Sequence, residues 1–393
     1  MNSVAQSSFE RLRSALVSSR YTGGSTHGFY LYPARFSPEI ARAVIETFSE
    51  EGQWVLDPFM GGGTAVIEGL AAGRRVIGID VNALAHFVAS VRTRPLSSHD
   101  RDAIKTWAAE ACATLSIALP MPEPRSQVRN LPRTVKDAVS VGSAQAEVSL
   151  RFPRQRAFAR CVLLRLGQWS LDCRDHNPPS RRKLGHKLQE LTKDLLTGLE
   201  EFVSQCGDAG VGRNEIAGRR FLLCRTASGF HDDPRVAALG ARPQLVFTSP
   251  PYPRVHVLYH RWQVRGRRET PAPYWIAQVP DGYYASHYTG GSRTPSGEQK
   301  YFAMVRSVFT SVREFMAPDG LVVQLLGFAD VRTQLPKYLS TMSESGFESC
   351  SPLGSQERHL WRPVPNRKWY AKLRGAVDPS SEVLLFHRPR PAR

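Results

Sequence analysis

Two short strings carry residue types that could do chemistry: Asp57-Pro58-Phe59-Met60-Gly61-Gly62-Gly63-Thr64 and Thr248-Ser249-Pro250-Pro251-Tyr252. In the first, glycines let the backbone take positive φ and come close to a ligand. A second acid, Asp80, follows Asp57 by 23 residues. At that spacing a carboxylate ending the next strand can accept both hydroxyls of a ribose. The string lacks the Gly-x-Gly-x-x-Gly spacing and has no Lys-Ser/Thr pair for phosphates. A ligand with a ribose and no phosphate fits better, and S-adenosylmethionine is the obvious one. Asp57 would meet its ammonium group, directly or through water.

In the second string, two prolines fix φ and remove two backbone donors, leaving rigid carbonyls that only accept. The amino group of cytosine or adenine is a poor nucleophile, because its lone pair is delocalised into the ring. If the Ser249 hydroxyl and the Pro250 carbonyl accept its two hydrogens, the nitrogen turns pyramidal and its lone pair points at a sulfonium methyl. That is orientational and electrostatic catalysis without a strong base. Tyr252 would stack on the base once it has left the helix, because the target atom is out of reach inside a duplex.

Each string follows an apolar run that reads as a buried strand, residues 54–56 and 245–247. Loops at the ends of two strands of one α/β sheet face each other where such sheets bind ligands. A helix is expected over 37–48, with Ser37 as N-cap, Pro38 at its first position and Glu39 complementing its N-terminus. A strand (53–56), a helix (65–72) ended by Gly73, and a strand (75–79) make a βαβ unit, followed by a helix over 83–91. Apolar residues at helical spacing then recur in 103–117, 157–169 and 184–203, separated by a Pro- and Arg-rich stretch over 120–156. This reads as a mostly helical insertion with a basic surplus: Arg151, Arg154, Arg156, Arg160, Arg181, Arg182 and Lys183. The α/β pattern resumes with strands at 221–225 and 245–248, a helix at 301–315, a strand at 320–326, a helix at 335–345 and a closing strand at 382–387.

A chain of 393 residues is long for one domain, and 41% hydrophobic residues supply a conventional core. The formal net charge of +17 attracts polyanions. Beside a base-holding string, that charge points to nucleic acid. The cysteines Cys112, Cys161, Cys173, Cys206, Cys224 and Cys350 form no CxxC pair and have no histidine at zinc spacing, so they read as reduced thiols and no metal is expected. No apolar run has the length of a signal peptide or membrane span, which points to a cytoplasmic protein, or a nuclear one in a eukaryote.

Directly behind Tyr252 come Arg254, His256, Tyr259, His260, Arg261, Trp262, Arg265, Arg267 and Arg268, and Tyr274, Trp275, Tyr283, Tyr284 and Tyr288 continue the pattern. Cations grip phosphates and aromatics stack on bases. Arg254, His256, Arg261, Arg265 and Arg267 are the candidates for DNA contact. For Trp262 and Trp275, core packing is an equal reading. His256 and His260 lack a carboxylate or cysteine to complete a metal set.

On these residues the chain resembles the amino-methylating DNA methyltransferases, which modify cytosine N4 or adenine N6 with S-adenosylmethionine. Asp57, Pro58, Phe59, Gly61, Gly63 and Thr64 match their cofactor loop, Asp80 with Val81 beside it their ribose acid, and Ser249, Pro250, Pro251 and Tyr252 their catalytic loop. Residues 32–39 resemble the family segment that closes over the cofactor, which would make Phe36 part of its cover. The resemblance covers roughly residues 27–97 and 220–387. It implies a Rossmann-like, seven-stranded, mostly parallel sheet whose last strand runs antiparallel. The chain then divides into 1–97 (cofactor binding), 98–219 (helical basic insertion) and 220–393 (catalytic loop, with a DNA-contacting segment over 253–300).

Two departures stand out. The insertion follows the second strand, which leaves open whether it or 253–300 reads DNA. Thr226-Ala227-Ser228 stand where many relatives carry an acid near the adenine. Ser249 leans toward cytosine N4, because Asp is more typical there in adenine enzymes. Adenine N6, an RNA base and a catalytically silent DNA-binding subunit are the successive alternatives. The carbon-5 class needs a cysteine after a proline, and the chain has no Pro-Cys pair. The implied partners are double-stranded DNA with the target base flipped out and a cognate restriction or defence component.

Overall fold

The computed structural model describes residues 3–18, 24–31, 37–117, 128–172, 177–253, 256–257, 261–264, 268–282, 288–289, 294–351, 357–363 and 381–391. Helix α1 (Ser3–Val17) leads to α2 (Pro38–Phe48), where the Ser37 hydroxyl accepts the Glu39 N–H at 3.3 Å, as the sequence predicts. Strand β1 (Trp54–Asp57), α3 (Thr64–Ala71), β2 (Arg75–Asp80) and α4 (Ala83–Arg92) form the expected βαβ unit and its following helix. Gly73, at φ +79°, ends α3.

The insertion is helical: α5 (Ser98–Ser116), α6 (Arg133–Ser149), α7 (Pro153–Leu171) and α8 (Arg181–Asp208). A capping box starts α5, Ser97 and Asp100 satisfying each other's backbone N–H. Helix α6 falls inside the stretch read as a separator. Its buried face is made of small side chains, and Gly142 lets α6 come against α5 and α7: the Trp107 indole N–H donates to the Gly142 carbonyl at 2.9 Å, and a Cβ on Gly142 would stand 2.6 Å from Leu163. Helices α5 to α8 share one apolar cluster with α3 and α4, so the insertion is packed onto the helices of the sheet.

After the insertion come β3 (Arg220–Cys224), α9 (Pro234–Ala237) and β4 (Leu245–Thr248). The short elements β5 (His256–Val257), β6 (Trp262–Val264), β7 (Arg268–Thr270), α10 (Ala272–Ala277) and β8 (Tyr288–Thr289) follow, with β5 pairing β8 and β6 pairing β7. The chain closes with α11 (Pro295–Phe315), β9 (Leu321–Gly327), α12 (Val331–Glu344), β10 (Phe347–Ser349), β11 (His359–Pro363) and β12 (Ser381–Pro389).

The main sheet has the order β10-β12-β9-β4-β1-β2-β3. Strands β3, β2, β1, β4 and β9 are parallel, and β12 runs antiparallel to β9, as expected for the closing strand. Where seven strands are expected, the described residues form eight. The additional β11 lies antiparallel along residues 381–385 of β12, and the three-residue β10 takes only residues 387–389 of the same edge. Strand β1 lies between β2 and β4, in register Val55↔Leu245 and Leu56↔Val246. The sheet order reverses there, so the loops after β1 and β4 open side by side. Among the described residues no helix is long and apolar enough to cross a membrane.

Candidate active site

Asp57, the last residue of β1, is fully buried. Its Oδ1 accepts the Phe59 N–H at 3.1 Å and the Thr248 hydroxyl at 2.6 Å. Its Oδ2 has no hydrogen-bond partner among the described residues. Burial pushes this carboxyl up to about 7, against the pull of the Thr248 and Phe59 bonds. A buried, unmatched carboxylate oxygen is costly unless something fills it, and an ammonium group would.

The loop after Asp57 is held by its own backbone. The Met60 N–H donates to Ile79 across to β2 at 3.0 Å, and the Gly63 N–H donates to Met60 at 2.8 Å. Gly61 sits at φ +50°, and its N–H donates to Asp80 Oδ2 at 2.9 Å. Gly63 sits at φ +85°, and a Cβ there would stand 2.9 Å from the Ala89 Cβ. These two positions therefore do different work: one presents a donor to the acid, the other lets α3 begin against α4. Pro58 and Phe59 line the same turn, and Thr64 is buried as the first residue of α3.

Asp80, at the end of β2, accepts the Gly61 N–H and, through Oδ1, the Asn82 N–H at 2.8 Å. A carboxylate offers about four acceptor positions, so about two are left for hydroxyls. Surrounding protein raises this group to about 6, although the side chain keeps part of its surface open. Val81, the next residue, is 39% exposed, an apolar surface beside the acid. Phe36 lies outside the described residues.

Sequence reasoning missed the supports of this pocket. Arg92 is buried, and its guanidinium donates to the carbonyls of Gly62, His27 and Tyr30, tying the cofactor loop to residues 27–30. The Tyr30 hydroxyl accepts the Trp262 indole N–H at 3.1 Å, and Asn82, the N-cap of α4, donates to the Tyr274 hydroxyl at 2.7 Å. Trp262 and Tyr274 are each 2% exposed. In the pattern read as DNA-facing, Tyr274 is a core residue, and Trp262 takes the core reading that stood beside it. Their indole and phenol groups are buried because Tyr30 and Asn82 satisfy them. No local pattern in the sequence announces either pair.

Beyond β3, Ala227 is buried, and the nearby Asp233 is committed to Arg235 at 2.7 Å and Arg225 at 3.2 Å.

In the second loop Thr248 is fully buried at the end of β4, and its hydroxyl reaches back to Asp57. Ser249 is half-buried, and among the described residues nothing hydrogen-bonds its hydroxyl. Pro250 is buried; Pro251 and Tyr252 are half-buried. The Tyr252 hydroxyl donates to Glu382 Oε1 at 2.7 Å, and its ring packs on the apolar cluster that includes Tyr301 and Phe328.

Of the candidates for DNA contact, Arg261 pairs with Asp281 at 3.0 and 3.2 Å. Arg254, Arg265, Arg267 and the side chain of His256 lie outside the described residues. In the insertion, Arg154 pairs with the buried Asp100 at 2.7 Å, and Arg156 and Arg160 share Glu147 at 3.5 and 3.1 Å. These pairs remove part of the basic surplus read from the sequence. Among the described residues no group of three or more His, Cys, Asp or Glu stands close enough to hold a metal ion.

Comparison with known proteins finds likenesses to residues 13–89 of the chain. The family model for DNA methylases of the N6/N4 type matches residues 13–89, the stretch that contains Asp57, the glycine loop and Asp80. The chain is 39% identical over 74 residues to the Type II methyltransferase M.MvaI of Kocuria varians, and 29% identical over 77 residues to the Type II methyltransferase M.MjaII of Methanocaldococcus jannaschii. Those stretches are 18% and 20% of this chain, and they span only 16% and 14% of the two relatives. The resemblance to the amino-methylating DNA methylases therefore stands on residues 13–89, and the loop from Thr248 to Tyr252 lies outside the family match. Among solved structures, the rRNA methyltransferase aviRa of Streptomyces viridochromogenes matches with a TM-score of 0.30 and 10% identity, covering 92% of this chain and 89% of that one. Nothing here rests on that likeness.

Proposed function

We propose that the chain is a site-specific DNA methyltransferase that uses S-adenosylmethionine and acts on the exocyclic amino group of a flipped base, cytosine N4 first and adenine N6 second. The observation that carries this reading is the 2.6 Å bond from Thr248 to Asp57, which locks the loop built for a ribose-bearing cofactor to the loop built for an amino group.

The residues present fit the cofactor. Asp57 Oδ2 is a buried acceptor without a partner among the described residues, suited to an ammonium group. Asp80 keeps acceptor capacity for ribose hydroxyls, and Val81 offers apolar surface beside it. No lysine stands in the loop to hold a phosphate. When bound, S-adenosylmethionine supplies a methyl group on a sulfonium centre. The chain's part is to hold the acceptor. The Ser249 hydroxyl and the Pro250 carbonyl accept the two amino hydrogens, Pro250 and Pro251 keep that geometry rigid, and Tyr252 stacks on the base. A neutral serine at position 249 supports cytosine N4.

DNA capture is assigned to Arg254, His256, Arg261, Arg265 and Arg267 within 253–300, braced by the insertion 98–219, because Trp262 of β6 closes on Gly167 of α7. A restriction or defence component that attacks the unmethylated site is the partner such an enzyme implies, and the cytoplasm its place of work.

The test is transfer of a labelled methyl group from S-adenosylmethionine to duplex DNA and, in parallel, to RNA. Label in DNA supports the reading; label in RNA alone replaces it with an RNA base methyltransferase.

A further inference from the structure

The eighth strand has a role that neither the cofactor loop nor the catalytic loop explains. Arg362 on β11 stands directly across from Glu382 on β12, and their side chains form an ion pair at 3.0 Å with 5% and 13% exposure. Glu382 in turn lies across from Gly327, the last residue of β9. That end of β9 is the end of the sheet on which the catalytic loop opens, because β9 and β4 are parallel, with Thr248↔Gln324. Tyr252 reaches over β9, two strands and roughly 10 Å from β4, and gives its hydroxyl proton to Glu382 Oε1 at 2.7 Å. One carboxylate thus accepts the Tyr252 hydroxyl on one oxygen and faces the Arg362 guanidinium on the other, at ion-pair distance but without a hydrogen bond.

We propose that Glu382 and Arg362 are positioning residues that clamp the Tyr252 ring in the orientation needed to stack on the target base. This rests on the methyltransferase reading of the Ser249–Tyr252 loop. A phenol ring has two side-chain torsions, and fixing its hydroxyl fixes both before DNA arrives, which removes an ordering cost from binding. Tyr252 is half-buried, its ring packed against the cluster that includes Tyr301 and Phe328. A buried ion pair is by itself a weak source of stability, and an isolated pair of this kind is often no better than apolar packing. Holding Tyr252 gives the pair a purpose that stability does not. Strand β11 brings Arg362 to Glu382 and places Leu360 in the apolar cluster of α1 and α2.

The test compares Tyr252→Phe, Glu382→Ala, the double variant and Glu382→Gln in single-turnover methyl transfer to DNA. Tyr252→Phe, which keeps the ring and its fold, and Glu382→Ala are each expected to slow transfer about tenfold, and the double variant no further, since both remove one bond. Cofactor affinity should stay within about twofold, and Glu382→Gln, which keeps an oxygen for the phenol, should recover to within about threefold of wild type. An additive, about hundredfold loss in the double variant, or a wild-type rate in Tyr252→Phe, overturns the clamp. If the wild-type protein moves no methyl group at all, the functional reading fails instead. The clamp is then read from the same four proteins by unfolding, where about tenfold coupling between Tyr252 and Glu382 supports it and independent effects overturn it.

Discussion

The two loops of the site are built by opposite means. The loop from Asp57 to Thr64 is held mostly from nearby, by Gly61 and Gly63 at positive φ, backbone bonds to Ile79 and Met60 and an acid one strand away, with Arg92 of α4 and Thr248 of β4 added from further off. The loop from Thr248 to Tyr252 is held from afar, by Asp57 at one end and Glu382, 130 residues on, at the other. The difference teaches where function is set. On the proposed function, cofactor binding rests largely on a local string, whereas the acceptor loop rests more on side chains that the finished sheet brings to it. Damage to the first should weaken binding, and damage to the second should slow the reaction.

The sharpest break of that comparison is Ser249→Ala. Losing an acceptor for the amino hydrogens should cut turnover about a hundredfold, with the cofactor dissociation constant within about twofold, measured by steady-state kinetics and calorimetry. Equal losses in both would erase the distinction between the loops.

Next in size is Asp80→Ala, which removes the ribose acceptor and leaves the Gly61 N–H without its partner. Cofactor affinity should fall about tenfold to thirtyfold, while turnover at saturating cofactor stays within about threefold. Unchanged affinity would remove Asp80 from the site.

A smaller effect lies in pH. Asp57 titrates near 7 and Asp80 near 6, both raised by burial. An ammonium group needs the ionised Asp57, so cofactor affinity should climb as pH rises through about 7 and fall again once the α-ammonium group loses its proton at about 8. The stability of the unliganded protein runs the other way. A raised carboxyl favours the folded state when protonated, so this contribution is whole below the unfolded value near 3.8 and is lost as pH rises through about 6 and 7. Thr248→Val removes a bond that favours the ionised form, so the midpoint for cofactor binding should move to higher pH. A midpoint unmoved in that variant would uncouple the two loops.

The smallest expected change is in Arg261→Ala. Loss of one phosphate contact should reduce the slope of log affinity against log salt by about 0.9, leaving turnover on saturating DNA unaltered. An unchanged slope would leave Arg261 as no more than the partner of Asp281.

The same contrast explains what could be read from the chain. Strand 245–248, the Ser37 cap and the βαβ unit around the glycine loop all rest on local pattern, and the structure has them where the pattern puts them. Helix α6 was hidden because its buried side of Val, Ala and Gly lies inside a Pro- and Arg-rich stretch, and Trp107 and Leu163 are among the large side chains that pack on it. Strands β10 and β11 have three and five residues and exist as pairings with β12. Asp57, Asp80 and the second loop were legible as chemistry. Arg92, Tyr30, Glu382 and Arg362 were not, because a residue that supports a site from a distant helix, loop or strand carries no motif of its own.

The most direct measurement of the central claim is the mass of the modified nucleoside after protein, duplex DNA and methyl-labelled S-adenosylmethionine are incubated together. The account predicts labelled N4-methyldeoxycytidine; labelled N6-methyldeoxyadenosine would keep the mechanism and change the base. Label on carbon 5 of cytosine, or no labelled base from a folded protein that binds the cofactor, would contradict it.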